Sequence, residues 1–255
     1  MLLQHATWQD VEAYLQRSRG VVVPIGSTEQ HGPMGIIGTD ALCAQVIAHG
    51  LSARHGVLVG PTVQLGAAQF NLAFPGTVSL RASTLIAIIE DYVRSLARQG
   101  FNRFYFVNGH GGNIAPARVA FQDLYAAHSY AGEEANFRCR IRSWWEYPQA
   151  DQLRRELYGD AEGMHATPSE IAITQFALPA SARESDAPPP PRLDPAFLRD
   201  HQGDNHFDAE THRRDFPDGR VGSDSSLAQA EHGRQLVAVA IDDAWVDYSA
   251  FLEEA

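Results

Sequence analysis

Short apolar runs alternate along the first half of the chain with longer segments in which apolar residues recur at helical spacing. Residues 21–25, 56–59 and 103–107 are largely apolar runs rich in β-branched or aromatic side chains, which is typical of strands buried on both faces. The segments around these runs predict helices over residues 7–19, 40–51, 83–97 and 115–127. The alternation of strands and helices predicts a mostly parallel sheet with helices on both faces. Such sheets bind ligands at the carboxyl ends of their strands.

The pattern changes in the second half of the chain. Residues 180–225 include four consecutive prolines and are rich in Asp, His, Arg and Gly, with little apolar periodicity. We interpret them as a long loop, a lid or a subunit contact, and not as a domain boundary. A final helix is predicted over residues 226–251, where apolar residues form a packing stripe. The expected fold class is therefore α/β, with a single three-layer α/β/α domain over residues 1–255.

Composition narrows the class of ligand. The formal charge of −11 argues against a nucleic-acid or anionic-membrane partner, because both need clustered Lys and Arg. The two cysteines, Cys43 and Cys139, are too few for a disulfide framework and do not form a zinc-binding pair. No apolar segment approaches the roughly 20 residues that cross a bilayer. We therefore expect a cytoplasmic protein that acts on a small molecule or a short peptide.

The loop after the first predicted strand concentrates side chains that bind metals. Glu29 and His31 point the same way if the loop is extended, and Asp40 follows at a helix start. A carboxylate has two oxygens and can bridge two ions, and we assign that bridge to Asp40. The alternatives are that Glu29 caps a turn and that Asp40 is a helix N-cap.

Two further segments carry candidate chemistry. His110 follows the strand 103–107 and is flanked by glycines, so His110 can bind metal while an N–H at Gly111 or Gly112 stabilises an oxyanion. The glycine pair can equally be an ordinary turn. His165 and Glu170 lie beside another predicted helix start.

The coincidence of these groups at strand ends favours a metal site over separate structural roles. Four other histidines lack neighbours that bind metals and are interpreted as structural or exposed, namely His5, His49, His55 and His128. The remaining four are unassigned; they are His201, His206, His212 and His232. The sequence does not support a serine hydrolase, because it lacks the Gly-x-Ser-x-Gly motif. A glycosidase with paired carboxylates would leave the histidines unexplained.

Together these residues resemble the creatininase family of metal-dependent amidohydrolases. The motifs are Glu29-Gln30-His31-Gly32, Thr39-Asp40, Gly109-His110-Gly111-Gly112-Asn113, the segment from His165 to Glu170, and residues 222–233. The resemblance implies that Glu29 and His110 hold one divalent ion, that His31 holds another, and that Asp40 bridges them.

Departures from creatininase bear on the substrate. Creatininase has Tyr and Glu where this chain has Gly111 and Gly112, which removes one metal carboxylate and one substrate contact. Glu170 is our candidate replacement ligand, and Trp145 matches a tryptophan of the substrate pocket. The double glycine resembles the pyrimidine deformylase and mycofactocin precursor peptidase branches, which cleave linear amides.

The resemblance implies hydrolysis of a C–N amide bond in a cyclic amide, a formamide or a small peptide, by a hydroxide that bridges two divalent ions. His165 would carry the proton to the leaving nitrogen, and Glu170 would either bind the second ion or orient His165. We expect zinc, with manganese or iron as alternatives, and a homo-oligomer, a hexamer by resemblance. The alternatives are hydrolysis of a cyclic ketone or sugar-like substrate at the same site, and a non-catalytic protein that binds metal or a metabolite.

Overall fold

Three parallel strands form the centre of the structure, a computed structural model that describes residues 1–254. The strands are β1 (Gly20–Ile25), β2 (Arg103–Asn108) and β3 (Arg138–Ser143), in the order β1-β2-β3. Ile25 lies opposite Asn108, and Asn108 lies opposite Ser143. The carboxyl ends of all three strands are therefore level, and the loops that follow them start at the same edge.

Helices account for most of the remaining regular structure. In chain order they are α1 (Trp8–Leu15), α2 (Thr39–His55), α3 (Ala82–Ala97), α4 (Ile114–Ala131), α5 (Pro148–Tyr158), α6 (Pro168–Ala177), α7 (Pro195–Asp200), α8 (Ala209–Asp215) and α9 (Ala230–Leu252). None of the helices in the described residues is both long and apolar enough to span a bilayer.

Alternate side chains of the strands point into two separate cores. Val22 and Tyr105 pack with residues of α2, α5, α6 and α9 on one face of the sheet. Val21, Phe104 and Phe106 pack with residues of α1, α3 and α4 on the other face. This division follows from the two-residue period of a strand, and it confirms the predicted α/β/α layers.

Residues 56–59 do not form the predicted strand, although the segment does lie beside β1. The N–H of Val22 donates to the Leu58 carbonyl at 2.9 Å, and the N–H of Gly60 donates to the Val22 carbonyl at 2.9 Å. The contact continues only as isolated bridges, one of which joins Ile25 to Val63. Pro61 lacks an N–H for a ladder, which helps to explain why no regular strand forms.

Several helix boundaries differ from the sequence prediction. The first helix ends at Leu15 instead of residue 19, and the last begins at Ala230, after a short 3₁₀ turn at Ser225–Leu227. Residues 180–225, called the excursion below, contain the short helices α7 and α8. The sequence pattern did not predict β3, whose arginines alternate with Cys139 and Ile141.

The 56–59 segment supplies a test of the core beside β1. Leu58 is fully buried in the core that includes α1, α3 and α4. Leu58→Ala should lower the free energy of unfolding by about 2–5 kcal/mol, because it leaves a cavity in a packed core. Urea denaturation measures the change, with Leu72→Ala at a side chain that is 53% exposed as the control. Equal unfolding midpoints for the two variants would contradict the prediction.

Candidate metal centre

The candidate ligands converge at the carboxyl edge of the sheet. Glu29 and His31 lie in the loop after β1, and His110 follows β2. Asp40 lies in the first turn of α2, whose positive helix end favours a carboxylate. Gly109 allows α2 to approach, because a Cβ at Gly109 would lie 2.1 Å from the Asp40 carbonyl oxygen.

Asp40 lies between two imidazoles. Its Oδ1 is 2.9 Å from Nε2 of His31, and its Oδ2 is 3.3 Å from Nδ1 of His110. Nδ1 of His110 is also 3.1 Å from Oε1 of Glu29. Asp40 is not the N-cap of α2, since Gly38 occupies that position. The two carboxylate oxygens of Asp40 therefore face two different groups of side chains.

Each of the three imidazoles has one ring nitrogen beside a backbone carbonyl. Nδ1 of His31 lies 3.1 Å from the Glu29 carbonyl oxygen, and Nε2 of His110 lies 3.0 Å from that of Ala67. Nε2 of His165 lies 2.7 Å from the carbonyl oxygen of Gln30. A neutral imidazole that donates its N–H to such a carbonyl presents its other nitrogen as a lone pair. All three rings are thus oriented as metal-binding histidines commonly are.

Asn71 fixes Glu29 and was not identified from the sequence. Its Nδ2 donates to Oε2 of Glu29 at 3.0 Å, which leaves Oε1 directed into the site. Asn71 follows Phe70 in a short 3₁₀ turn, and it is fully buried. A single asparagine in a loop carries no sequence pattern, so only the folded chain shows this contact.

The site contains buried polar atoms that the protein leaves without partners. Among the described residues, Oε1 of Glu29, Nε2 of His31 and Oδ2 of Asp40 make no hydrogen bond of acceptable geometry. Unpaired buried polar groups are costly, and a bound cation would satisfy all three. Within residues 1–254, three groups of side chains have ligand atoms within 4.8 Å of one another: Glu29 with His31 and His165, Glu29 with Asp40 and His110, and His31 with Asp40 and Glu170. The residues present therefore fit a divalent metal.

Glu170 has a structural role as well as a place in the site. Its Oε1 accepts a hydrogen bond from the N–H of Thr167 at 2.6 Å, as part of the capping box of α6. The same oxygen is 3.6 Å from Nε2 of His31. Burial, opposed by the nearby His31, raises the pKa of Glu170 to about 8. Glu170 is thus held by the helix end in a position from which it faces His31.

The protonation of the metal-free cluster follows from its burial and its charges. Burial favours neutral His31, but the carboxylates of Asp40 and Glu170 outweigh it and raise the pKa of His31 to about 10. Burial would raise the pKa of Asp40, but His31 and His110 hold it below its usual range. Burial and the charge of His31 lower the pKa of His165 to about 3. Without a metal, protons on the imidazoles stabilise the carboxylates. A bound cation can take the place of these protons.

The sequence also missed Asp204, which lies in the excursion. Its Oδ2 is 3.5 Å from Nδ1 of His110 and accepts a hydrogen bond from the N–H of Gly112 at 2.9 Å. The Gly112 amide is therefore not free, which corrects the expectation of an available N–H at this glycine. Burial raises the pKa of Asp204 to about 6. The excursion has little apolar periodicity, so the sequence offered no signal that one of its acids reaches the site.

A cavity of about 490 Å³ opens onto these side chains. Its lining includes Gly111, Trp145, His165 and Glu170, all of which the sequence analysis placed in the site. Gly112 is not part of that lining. The chain therefore brings together all the predicted metal-site side chains, and it places Trp145 on the wall of the same cavity.

The fold and the buried centre define a three-layer α/β protein with ligands for metal at the strand ends. A family model described as creatinine amidohydrolase matches residues 4–246. The chain belongs to the creatininase family, as its motifs indicated.

Individual relatives are similar over different lengths. Creatinine amidohydrolase of Pseudomonas putida is 30% identical over 162 residues, and the match covers 60% of each chain, less than two thirds of that relative. The mycofactocin precursor peptide peptidase of Mycobacterium tuberculosis is 29% identical over 236 residues, which cover 89% of this chain and 83% of the peptidase.

Solved structures share the fold. A creatininase point mutant complexed with creatine is 25% identical, with a TM-score of 0.77 and coverage of 98% of both chains. Creatininase structures described as a manganese form and as a Zn–Zn type also match, with TM-scores of 0.76 and 0.77.

Metal binding should release protons from this cluster. The pKa of His31 near 10 means that the ring is protonated at pH 7.5 in the metal-free protein, and a cation must displace that proton. Apparent affinity should therefore rise as the pH rises from about 6.5 toward 10. Calorimetric titration of chelator-treated protein with Zn²⁺, in buffers of different ionisation enthalpy, should show release of about one proton or more per subunit.

A matched variant separates the site from the other histidines. His128→Gln, at the end of α4, should release as many protons as the parent protein. Zinc binding with no proton release, or with affinity that falls as the pH rises, would contradict the assignment of His31.

Proposed function

We propose that the protein hydrolyses a C–N amide bond in a cyclic amide, a formamide or a small peptide, with two divalent ions in the candidate metal centre. The observation that carries the proposal is the position of Asp40, whose two oxygens face His31 and His110 separately. In this assignment Glu29 and His110 hold one ion, His31 holds the other with Glu170, and Asp40 bridges them. The relatives that act on creatinine or on a peptide precursor support this reaction class.

Two adjacent ions would lower the pKa of a water and polarise the substrate carbonyl. The chain itself orients the ligands through backbone carbonyls and buries them, since Glu29, His31, Asp40 and His110 are all at most 3% exposed. Electrostatic interactions between such buried groups and the reacting atoms are stronger than they would be in bulk water.

His165 is the proposed carrier of the proton that the leaving nitrogen needs. Its Nε2 is held at the Gln30 carbonyl, so Nδ1 is the nitrogen that faces the site, 3.7 Å from Oε1 of Glu29. The same ring also belongs to a group of potential metal ligands with Glu29 and His31. The two roles predict different metal contents for a His165 variant.

The proposal also includes the identity of the metal, the oligomeric state and the cellular compartment. Zinc suits the mixture of imidazoles and carboxylates, and manganese or iron would also be accepted. The creatininase structures with manganese and with zinc support the first two choices. A cytoplasmic homo-oligomer, a hexamer by resemblance, remains our proposal. The free thiols Cys43 and Cys139 are consistent with a reducing compartment.

The first experiment is elemental analysis of the purified protein coupled to a substrate screen. Formamides, cyclic amides, short peptides and cyclic ketones should be tested with and without chelator. We expect two ions per subunit and chelator-sensitive cleavage of an amide. Turnover of a cyclic ketone alone would favour the sugar-like alternative, and metal binding without any turnover would favour a binding protein.

Replacing the bridging carboxylate should remove both ions. Asp40→Asn keeps the size of the side chain but removes the charge between His31 and His110, so neither ion retains its shared ligand. Metal content measured by mass spectrometry should fall for both ions, and amide turnover should be lost. Asp91→Asn, an exposed position on α3, should keep both. Full metal content and activity in Asp40→Asn would refute the bridging role.

Substitution of His165 distinguishes proton transfer from metal binding. If the ring carries the proton, His165→Asn should retain two ions and lose about 10²–10⁴-fold in kcat. Metal content and steady-state kinetics measured on one preparation give both values. Loss of an ion from His165→Asn would instead make His165 a ligand and would overturn the proton-transfer role.

A further inference from the structure

The excursion delivers a carboxylate to the metal centre from outside the sheet edge. The side chain of Asp204 is only 11% exposed, and its Oδ2 is 3.5 Å from Nδ1 of His110. The same His110 nitrogen lies 3.1 Å from Oε1 of Glu29 and 3.3 Å from Oδ2 of Asp40. Three carboxylates from separate segments therefore surround one imidazole nitrogen.

The backbone adopts an uncommon conformation to place this carboxylate. Asp204 has φ of 56°, and among the described residues other than glycine only Ala166, next to His165, is also positive. Such conformations are costly and tend to occur at functional sites. Two contacts hold the turn beside the site. Nε2 of Gln69 donates to the Phe207 carbonyl at 3.0 Å, and the ring centroids of His206 and Phe70 are 4.6 Å apart.

Gly111 provides the space that the Asp204 carboxylate occupies. A Cβ at Gly111 would lie 2.4 Å from Oδ2 and 2.8 Å from Cγ of Asp204, and these are its nearest contacts. The φ of Gly111 is not positive, so alanine is allowed by the backbone at this position. A larger side chain at this position would therefore meet the free end of the Asp204 side chain and would not strain the loop.

We propose that Asp204 is a metal-binding carboxylate for the ion held by Glu29, Asp40 and His110, and that the bound ion fixes the excursion over the site. This inference rests on the proposed function. The unpaired Oε1 of Glu29 and Oδ2 of Asp40, both in fully or nearly fully buried side chains, point into the same space and call for a cation there. Anionic oxygen is a suitable additional ligand for zinc or manganese, and Asp204 brings it from the excursion.

Zinc titration of the full chain tests the ligand role directly. Asp204→Asn keeps the shape of the side chain but removes its charge, and it should weaken one of two zinc sites by about tenfold or more. Asp200→Asn is the matched control, because Asp200 lies in the same excursion with a side chain that is 58% exposed. It should bind zinc as the parent protein does.

Trypsin gives a readout that does not depend on turnover. Arg192 and Arg199 have side chains that are 83% and 70% exposed in the excursion. Zinc should slow cleavage at these arginines in the parent protein and in Asp200→Asn, but not in Asp204→Asn. Zinc protection that persists in Asp204→Asn would overturn the link between the ion and the excursion.

A double-mutant cycle tests the explanation of Gly111. Gly111→Ala should weaken zinc binding because its methyl group displaces the Asp204 carboxylate. In Asp204→Gly, which accepts the positive φ, adding Gly111→Ala should cost no further affinity. An equal cost in both backgrounds would overturn the assignment.

The outcomes separate this inference from the proposed function. If the parent protein binds no divalent ion, both fail. If it binds two ions and Asp204→Asn binds them with unchanged affinity, only the role of Asp204 fails.

Discussion

The structure depends on the burial of two carboxylates, Glu29 and Asp40, next to imidazoles and not next to arginine or lysine. Charge that is removed from water must be compensated by nearby opposite charge or by hydrogen bonds. Here Asn71 satisfies one oxygen of Glu29, while the inner oxygens of Glu29 and Asp40 face His31, His110 and His165. Protons on these rings, or cations between them, compensate the remaining buried negative charge. The start of α2 and the loops after β1 and β2 are arranged around this requirement.

The sequence predicted the parts of the site that depend on sheet geometry. Parallel strands buried on both faces end at one edge, so Glu29 after β1 and His110 after β2 had to be neighbours once the strands were identified. Oε1 of Glu29 and Nδ1 of His110 are 3.1 Å apart. Asp40 was located by its position at a helix start, and Glu170 by the helix signal at Pro168. The alternation of apolar runs with helical segments also predicted the layers.

What the sequence missed depends on contacts that leave no periodic signal. Asp204 meets Gly112 across 92 positions of the chain, through an irregular segment whose composition resembles a solvated loop. Asn71 acts through a single hydrogen bond to Glu29. The strand β3 carries alternating arginines, and Arg140 pairs with Asp247 of α9, so the apolar pattern expected of a buried strand is weak. Conversely, the apolar segment 56–59 packs beside β1 without forming a regular strand.

The outer nitrogens of His31, His110 and His165 all meet main-chain carbonyls, those of Glu29, Ala67 and Gln30. Main-chain groups are identical in every residue, so a substitution at Ala67 that preserves the path of the chain leaves the contact to His110 in place. The orientation of the rings is thereby separate from the identity of the side chains that line the cavity, such as Trp145. The cavity can be reshaped by substitution of such a side chain without loss of these three contacts.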